Sequence, residues 1–402
     1  MPSQQPPAAL IPTLERRAPR SSRGLVVRAL ALAAGLGIGA STALAQAELP
    51  ASLLSSASAL TAEQSAQIET YVKPHLESLR ADDAERVNRA RRALILPLTR
   101  SGVGVAFRQA YARQVGVSLA QVSGGTSVIN AVNALRVAAE LSTEEGFDIV
   151  EKAYAAPDPA VRLAAAAATA RAFEVAGRAG AAVVPARLRS ATTRLGAMLA
   201  PNAEANPDVT DTVARALIVA MQTSPHAEVR NEATLVLTRG LVERARAIKG
   251  AAASPRLLDA VLRTGLAIRD DLTNVSGARP PLSAEATRGV HELAGELIAL
   301  GARQIRGGEL AAIRQADSPE ERKAKEQARS VLSQVVGAGE QILSLSASSG
   351  DPVRTDMASL VRRASTESDA KFLEDARALL GAGGRLTKPP FNLPGDRFDM
   401  GR

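Results

Sequence analysis

The sequence predicts an all-α chain of stacked helices, and three observations predict it. Aromatic residues are scarce, with six Phe, three Tyr and no Trp in 402 residues. A core without them must be packed with Ala, Leu, Val and Ile, a set weighted toward helix formers rather than the β-branched and aromatic mixture of sheets. Segments of 14–22 residues with helical periodicity recur along the chain, joined by short loops such as Pro201-Asn202, Asn206-Pro207 and Ser224-Pro225, the pattern of an α-solenoid. The third observation is Asp158–Gly177. There Asp158-Pro159 supplies a cap and a first-turn proline, and the alanine-rich run behind it carries two apolar faces. Val161, Ala165, Ala168, Ala172 and Val175 line one; Leu163, Ala166, Ala170 and Phe173 line the other. Two apolar faces mean neighbours on two sides.

Residues 1–45 precede that body. Arg16, Arg17, Arg20 and Arg23 lie before an apolar run from Leu25 to Ala40, and Ala43-Leu44-Ala45 follows. Basic region, apolar region and an A-x-A site in that order read as a secretory signal peptide cleaved after Ala45 or Ala47, with a retained membrane anchor as the alternative. Their removal takes away five Arg and one Glu and brings the net charge from +8 to about +4. The remaining charges are interspersed, which gives no specific nucleic-acid footprint. Absence of cysteine excludes disulfides, thiol nucleophiles and cysteine-bound metals.

Residues 46–60 read as a small-residue linker. Thr61 and Gln64 fit a capping box opening a helix to about Arg80, with Pro74 a kink or break. Asp82-Asp83 starts the next helix, expected to end before Pro97. Its Arg86, Arg89, Arg91 and Arg92 are either a basic patch for nucleic acid or anionic lipid, or a solvated face, and the lack of interleaved aromatics favours the face. Residues 100–127, rich in Gly, Val and Ser, give only a weak glycine-loop signal at Gly102-Val103-Gly104. Helices follow over 127–141, from Ser142 onward, and over 158–177, 183–199, 208–221, 228–249, 255–272, 283–303, 318–345, 353–364 and 367–380. Asn274-Val275-Ser276 matches a glycosylation sequon, and Arg279-Pro280-Pro281 marks a boundary loop. Ser318-Pro319-Glu320-Glu321 combines cap, first-turn proline and third-position Glu. The domain plan is therefore helical repeats over 61–275 and a continuing helical region over 283–381. Residues 383–402 read as a disordered tail whose Phe391 and Phe398 could dock in a groove.

Asp158-Pro159-Ala160-Val161-Arg162-Leu163-Ala164-Ala165 resembles the helix-opening signature of HEAT-type repeats, members of the armadillo-type solenoids. His226 to Ala233 keeps the Val-Arg spacing, Asn206-Pro207-Asp208-Val209 keeps Asn-Pro and Val, and Asp351-Pro352-Val353-Arg354 is one residue short. The resemblance covers residues 140–250 with one strong motif. It implies a right-handed solenoid of antiparallel helix pairs, a capping role for Asp158, and a role for Arg162 in reaching the next repeat.

Catalytic motifs are absent from the sequence. His75, His226 and His291 are scattered, with His226 read as a helix cap, and no G-x-S-x-G or S-x-x-K appears. Neither metal, cofactor nor catalytic residues are expected. The reading is an exported, non-enzymatic scaffold that binds another protein or an envelope component through a solenoid surface. One alternative is an enzyme of α/α-toroid or helical-bundle type with a site assembled from distant residues, favoured if two or more of Tyr71, His75, His226 and His291 are buried in one pocket; another is a structural envelope protein held by an uncleaved N-terminus.

Overall fold

Helices make up all the regular structure of the described residues. They are α1 (Ala51–Leu54), α2 (Ala62–Leu79), α3 (Ala84–Thr99), α4 (Val105–Ser123), α5 (Val128–Leu141), α6 (Glu144–Lys152), α7 (Pro159–Ala176) and α8 (Pro185–Ala197). The remainder are α9 (Pro207–Thr223), α10 (Ala227–Ala247), α11 (Pro255–Thr273), α12 (Ala284–Arg306), α13 (Pro319–Ser346), α14 (Met357–Arg363) and α15 (Thr366–Leu380). The structure, a computed structural model, describes residues 48–401 apart from 179–180, 249–254, 274–279, 308–309, 311–316, 348–352 and 354. The leader, the sequon and most of the Asp351 motif lie outside the described residues. Among those residues the only β pairing is one isolated bridge, Thr143 with Ala182. The all-α class is correct.

Packing follows chain order in two series. In one, α3, α5, α7, α9, α11, α13 and α14 each lie on the next; in the other, α2, α4, α6, α8, α10, α12 and α15 do the same. Sequential neighbours join the series, as α2 with α3, α4 with α5, α9 with α10 and α12 with α13. The core along these contacts is aliphatic and alanine-rich, with Phe107, Tyr111, Phe147 and Phe372 among its few rings. Small residues set the closest approaches. A Cβ on Gly196 of α8 would meet the Val236 Cβ of α10 at 2.6 Å, and one on Gly240 of α10 would strike the Leu199 side chain just past α8.

Helix starts match their sequence signals. Thr61 with Gln64 and Ser318 with Glu321 each form both bonds of a capping box. Asp158 accepts from the Ala160 amide at 2.7 Å. His226 occupies the N-cap position of α10, but its side chain makes no cap bond, so the capping role expected for it is wrong.

Four further expectations are corrected. Residues 100–127 contain a 19-residue helix, α4, hidden because Gly116 and several Val and Ser dilute its periodicity while Phe107, Tyr111, Val115 and Leu119 still bury one face. The 46–60 segment is not merely a linker: Leu53 and Leu54 are buried, and the Gly104 amide donates to the Leu54 carbonyl at 2.9 Å. Pro97 does not end its helix. Lacking an N–H, it leaves the Ala93 carbonyl without a helical donor and crowds that turn, yet α3 runs on to Thr99. Tyr71 Oη donates to that freed Ala93 carbonyl, and Tyr111 Oη adds a bond to the neighbouring Leu94 carbonyl, each at 2.8 Å.

The C-terminal segment is likewise ordered rather than disordered. Leu386, Phe391, Leu393 and Phe398 are buried. Phe398 sits on Gly295 of α12, where no Cβ would fit, and Phe391 meets the His291 ring edge-on at 4.9 Å. Arginines grip the segment's carbonyls: Arg246 holds that of Arg397 at 3.0 Å, Arg303 that of Asp399 at 2.6 Å, and Arg306 that of Gly401 at 2.5 Å. The phenyl rings dock in a groove, and the groove belongs to the chain itself.

Candidate functional site: a cationic groove on α3, α5 and α7

Consecutive members of the odd-numbered series leave a concavity of about 640 Å³ over α3, α5 and α7. Its floor is apolar. Ile95 and Leu96 come from α3, Val132 and Ala139 from α5, and Ala160, Leu163, Ala164, Ala167 and Ala168 from α7. Leu96 is 47% exposed, one of few large apolar side chains left so open. Of the two apolar faces read on α7, the first is buried at Val161, Ala165, Ala168, Ala172 and Val175, whereas the second is buried only at Ala166 and Phe173, its Leu163 lining the groove instead. Ala160, Ala164 and Ala167 form a third stripe, one helical turn apart, that opens into the groove.

Arginines rim this floor. Arg91 and Arg92 on α3 and Arg136 on α5 line it together with Arg171 on α7 and a single carboxylate, Glu140. Glu140 is committed to Arg171, whose Nε and Nη2 reach its two oxygens at 2.6 and 3.2 Å. Glu174 adds a second pair to Arg171 at 2.8 Å. The other three cations have no such counterion: among the described residues Arg91, Arg92 and Arg136 form no ion pair. Partial burial, then the like charges of Arg136 and Arg92, hold the Arg91 guanidinium below its ordinary pKa. Three cations crowded over an apolar floor raise the local potential and favour an anion there.

The arginine run seen in the sequence thus divides. Arg86 donates to Ser78 Oγ at 3.2 Å and Arg89 pairs with Glu85 at 3.5 Å, both in solvent, whereas Arg91 and Arg92 turn toward the groove. Arg136 and the third alanine stripe went unread. A signal for Arg136 existed: it is one of only two charged residues on the otherwise uncharged α5, the other being Glu140 one turn on.

The residues named for an assembled enzymatic site are placed as follows. Tyr71 and His75, one turn apart on α2, have ring centroids 5.2 Å apart. Tyr71 Oη is committed to Ala93, and burial pushes its pKa up and that of His75 down. His226 stands at the start of α10 and His291 is buried on α12 beneath the C-terminal segment. Among the described residues no group of three or more His, Asp or Glu is arranged to hold a metal ion.

No family model and no curated protein matches the chain. Two solved engineered proteins align with it weakly. One has 15% identity over 67% of this chain and 97% of its own, at a TM-score of 0.29. The other has 17% identity over 84% of this chain and 90% of its own, at 0.28. Similarity that low carries no argument about fold or function.

Proposed function

We propose that this chain is an exported, non-enzymatic HEAT-like helical scaffold that binds another protein through the groove on α3, α5 and α7. The observation that carries the reading is the set of three arginines without counterions above an apolar floor. Such a combination is unfavourable to leave open and favourable to cover with a partner bearing acidic and apolar groups.

Packing of the helices in two series along the chain supports the solenoid part of the reading. Long-range ion pairs tie these layers together at varied separations, as Arg162 with Glu204, 42 residues on, Arg171 with Glu140, 31 back, and Arg263 with Asp211, 52 back, and the sequence motifs are likewise irregularly spaced. Export rests on residues 1–45, with their basic region, apolar run and Ala43-Leu44-Ala45.

The test is capture from an envelope extract with the purified mature chain and with Ala167→Trp, which fills the exposed floor. A partner retained by the native chain and lost with Ala167→Trp supports the reading. Equal capture by both places the contact elsewhere. N-terminal sequencing of the exported protein is expected to begin at Gln46 or Glu48; a retained residue 1–45 segment contradicts cleavage.

A further inference from the structure

We infer that the occupant of the groove is an acidic amphipathic helix, lying across α3, α5 and α7 with its carboxylates toward Arg91, Arg92 and Arg136. The inference rests on the groove being a protein-binding site and names what fits it. An extended strand would need a free sheet edge to donate and accept main-chain bonds, and the described residues contain no strand. A polyproline segment needs aromatic walls, and no Phe or Tyr lines the groove. A helix needs neither. It makes its own backbone bonds and requires only an apolar trough matched to anchors at helical spacing.

The α7 surface supplies that trough. Ala160, Ala164 and Ala167, with Leu163 beside them, are side chains at i, i+4, i+7, the ridge spacing against which a second helix packs. Because three of them stop at Cβ, an incoming helix can lie near the short end of the usual 8–10 Å interaxial range. α7 already packs against α5 and α9, and Ala165, Ala166, Ala168 and Ala172 are buried on its other faces. Crossing three helices takes about 13 residues at a rise of 1.5 Å each. The cations stand on one side of this path, on α3 and α5, whereas the side formed by Arg171 and Glu140 is internally neutralised. The partner's charge is therefore polarised: glutamates or aspartates along one edge, and small or branched apolar residues on the face beneath.

The probe is a synthetic helical peptide of about 13 residues, long enough to span the groove, with Ala and Leu at i, i+4, i+7 and Glu along one edge. Its counterpart has Lys in place of each Glu. Fluorescence anisotropy with the full mature chain is expected to give micromolar binding of the Glu peptide, at least tenfold weaker binding of the Lys peptide, and loss of affinity between 50 and 500 mM salt. The pair Arg92→Glu with Arg136→Glu involves exposed side chains, and an unchanged melting temperature will show that it leaves the fold intact; it should weaken the Glu peptide at least tenfold and strengthen the Lys peptide. Equal binding of the two peptides, no binding, or insensitivity to the charge-reversed pair overturns the inference. Binding to anionic phospholipid vesicles without binding to the Glu peptide also overturns it and assigns the arginines to a membrane surface. Failure here together with Ala167-dependent capture of a partner would leave the scaffold reading standing and remove only the helix.

Discussion

Arg162 on α7 grips Glu204, in the loop ahead of α9, with two prongs: Nε to Oε2 at 2.6 Å and Nη2 to Oε1 at 3.0 Å. The same guanidinium holds the carbonyls of Ala156 and Pro157 at 2.8 and 2.9 Å. One side chain therefore ties the loop before its own helix to the loop before the helix that packs beside it. Glu204 is nearly buried, with its side chain 2% exposed.

Removing the charge from Glu204 should loosen this joint. Glu204→Gln is expected to cost about 1.5–3 kcal/mol, the range for a hydrogen bond to a charged partner, measured by urea unfolding at pH 7. The bonds from Arg162 hold the Glu204 pKa below its ordinary value. Such a carboxylate stabilises the fold above its unfolded pKa, and that contribution disappears as pH falls through the folded value. Native protein should accordingly lose more stability than Glu204→Gln on going from pH 5 to pH 3.

Tyr71 and Tyr111 allow α3 to run through Pro97. Tyr71→Phe and Tyr111→Phe each delete a donor to a carbonyl near the proline, and each is expected to destabilise by about 1–2 kcal/mol. If Pro97 is replaced by Ala as well, the backbone amide returns and the Tyr71→Phe penalty should shrink. A double-mutant cycle on unfolding free energies reads the coupling.

The sequence disclosed helix starts and helix count more readily than joints. Caps at Thr61, Asp158 and Ser318 depend on local chemistry within four residues, so they were legible. The helix at 105–123 was not, because its polar and glycine positions blur the periodicity while its buried face is fixed by Arg108. That side chain donates to the carbonyls of Leu98 and Glu140, at the ends of α3 and α5. Arg244 does the same for α8, reaching the carbonyls of Met198, Leu199 and Ala200. Arginines of this kind look like surface charge in a sequence, since the acceptors they serve are backbone atoms 10–46 residues away. The groove was half legible: Arg91 and Arg92 drew notice, while the third stripe of α7 and Arg136 acquire meaning only when three helices lie side by side.

The C-terminal segment should behave as a docked part of the fold. Phe398→Ala is expected to cost about 3 kcal/mol or more. Gly295→Ala should also be destabilising, because the added methyl group takes the space occupied by the Phe398 ring. Limited proteolysis with trypsin provides the check: both variants should be cut after Arg385 or Arg397 at protease levels that leave the native chain intact.

His291 couples that docking to pH. Burial under Phe391 lowers its pKa from 6.5 to about 4. Its acidic neighbours on α12 are engaged, Glu292 with Arg397 and Glu296 with Arg246 and Arg303. The unfolded chain binds a proton below pH 6.5 while the folded chain resists until about pH 4, so stability falls as pH drops through that window. A shift of this size corresponds to about 3 kcal/mol at full effect. An NMR titration should find the His291 midpoint well below the ordinary 6.5, and His291→Leu should flatten stability between pH 6.5 and 4.

The central claim is that the concavity over α3, α5 and α7 receives a partner protein. A photo-crosslinking residue at Ala167, compared with one at exposed Val117 on α4, tests this in the full-length protein expressed in cells. The account predicts one discrete adduct from position 167, abolished by Arg92→Glu with Arg136→Glu, and none from position 117. Adducts of equal yield at both positions, or an adduct at 167 that persists after charge reversal, would contradict it.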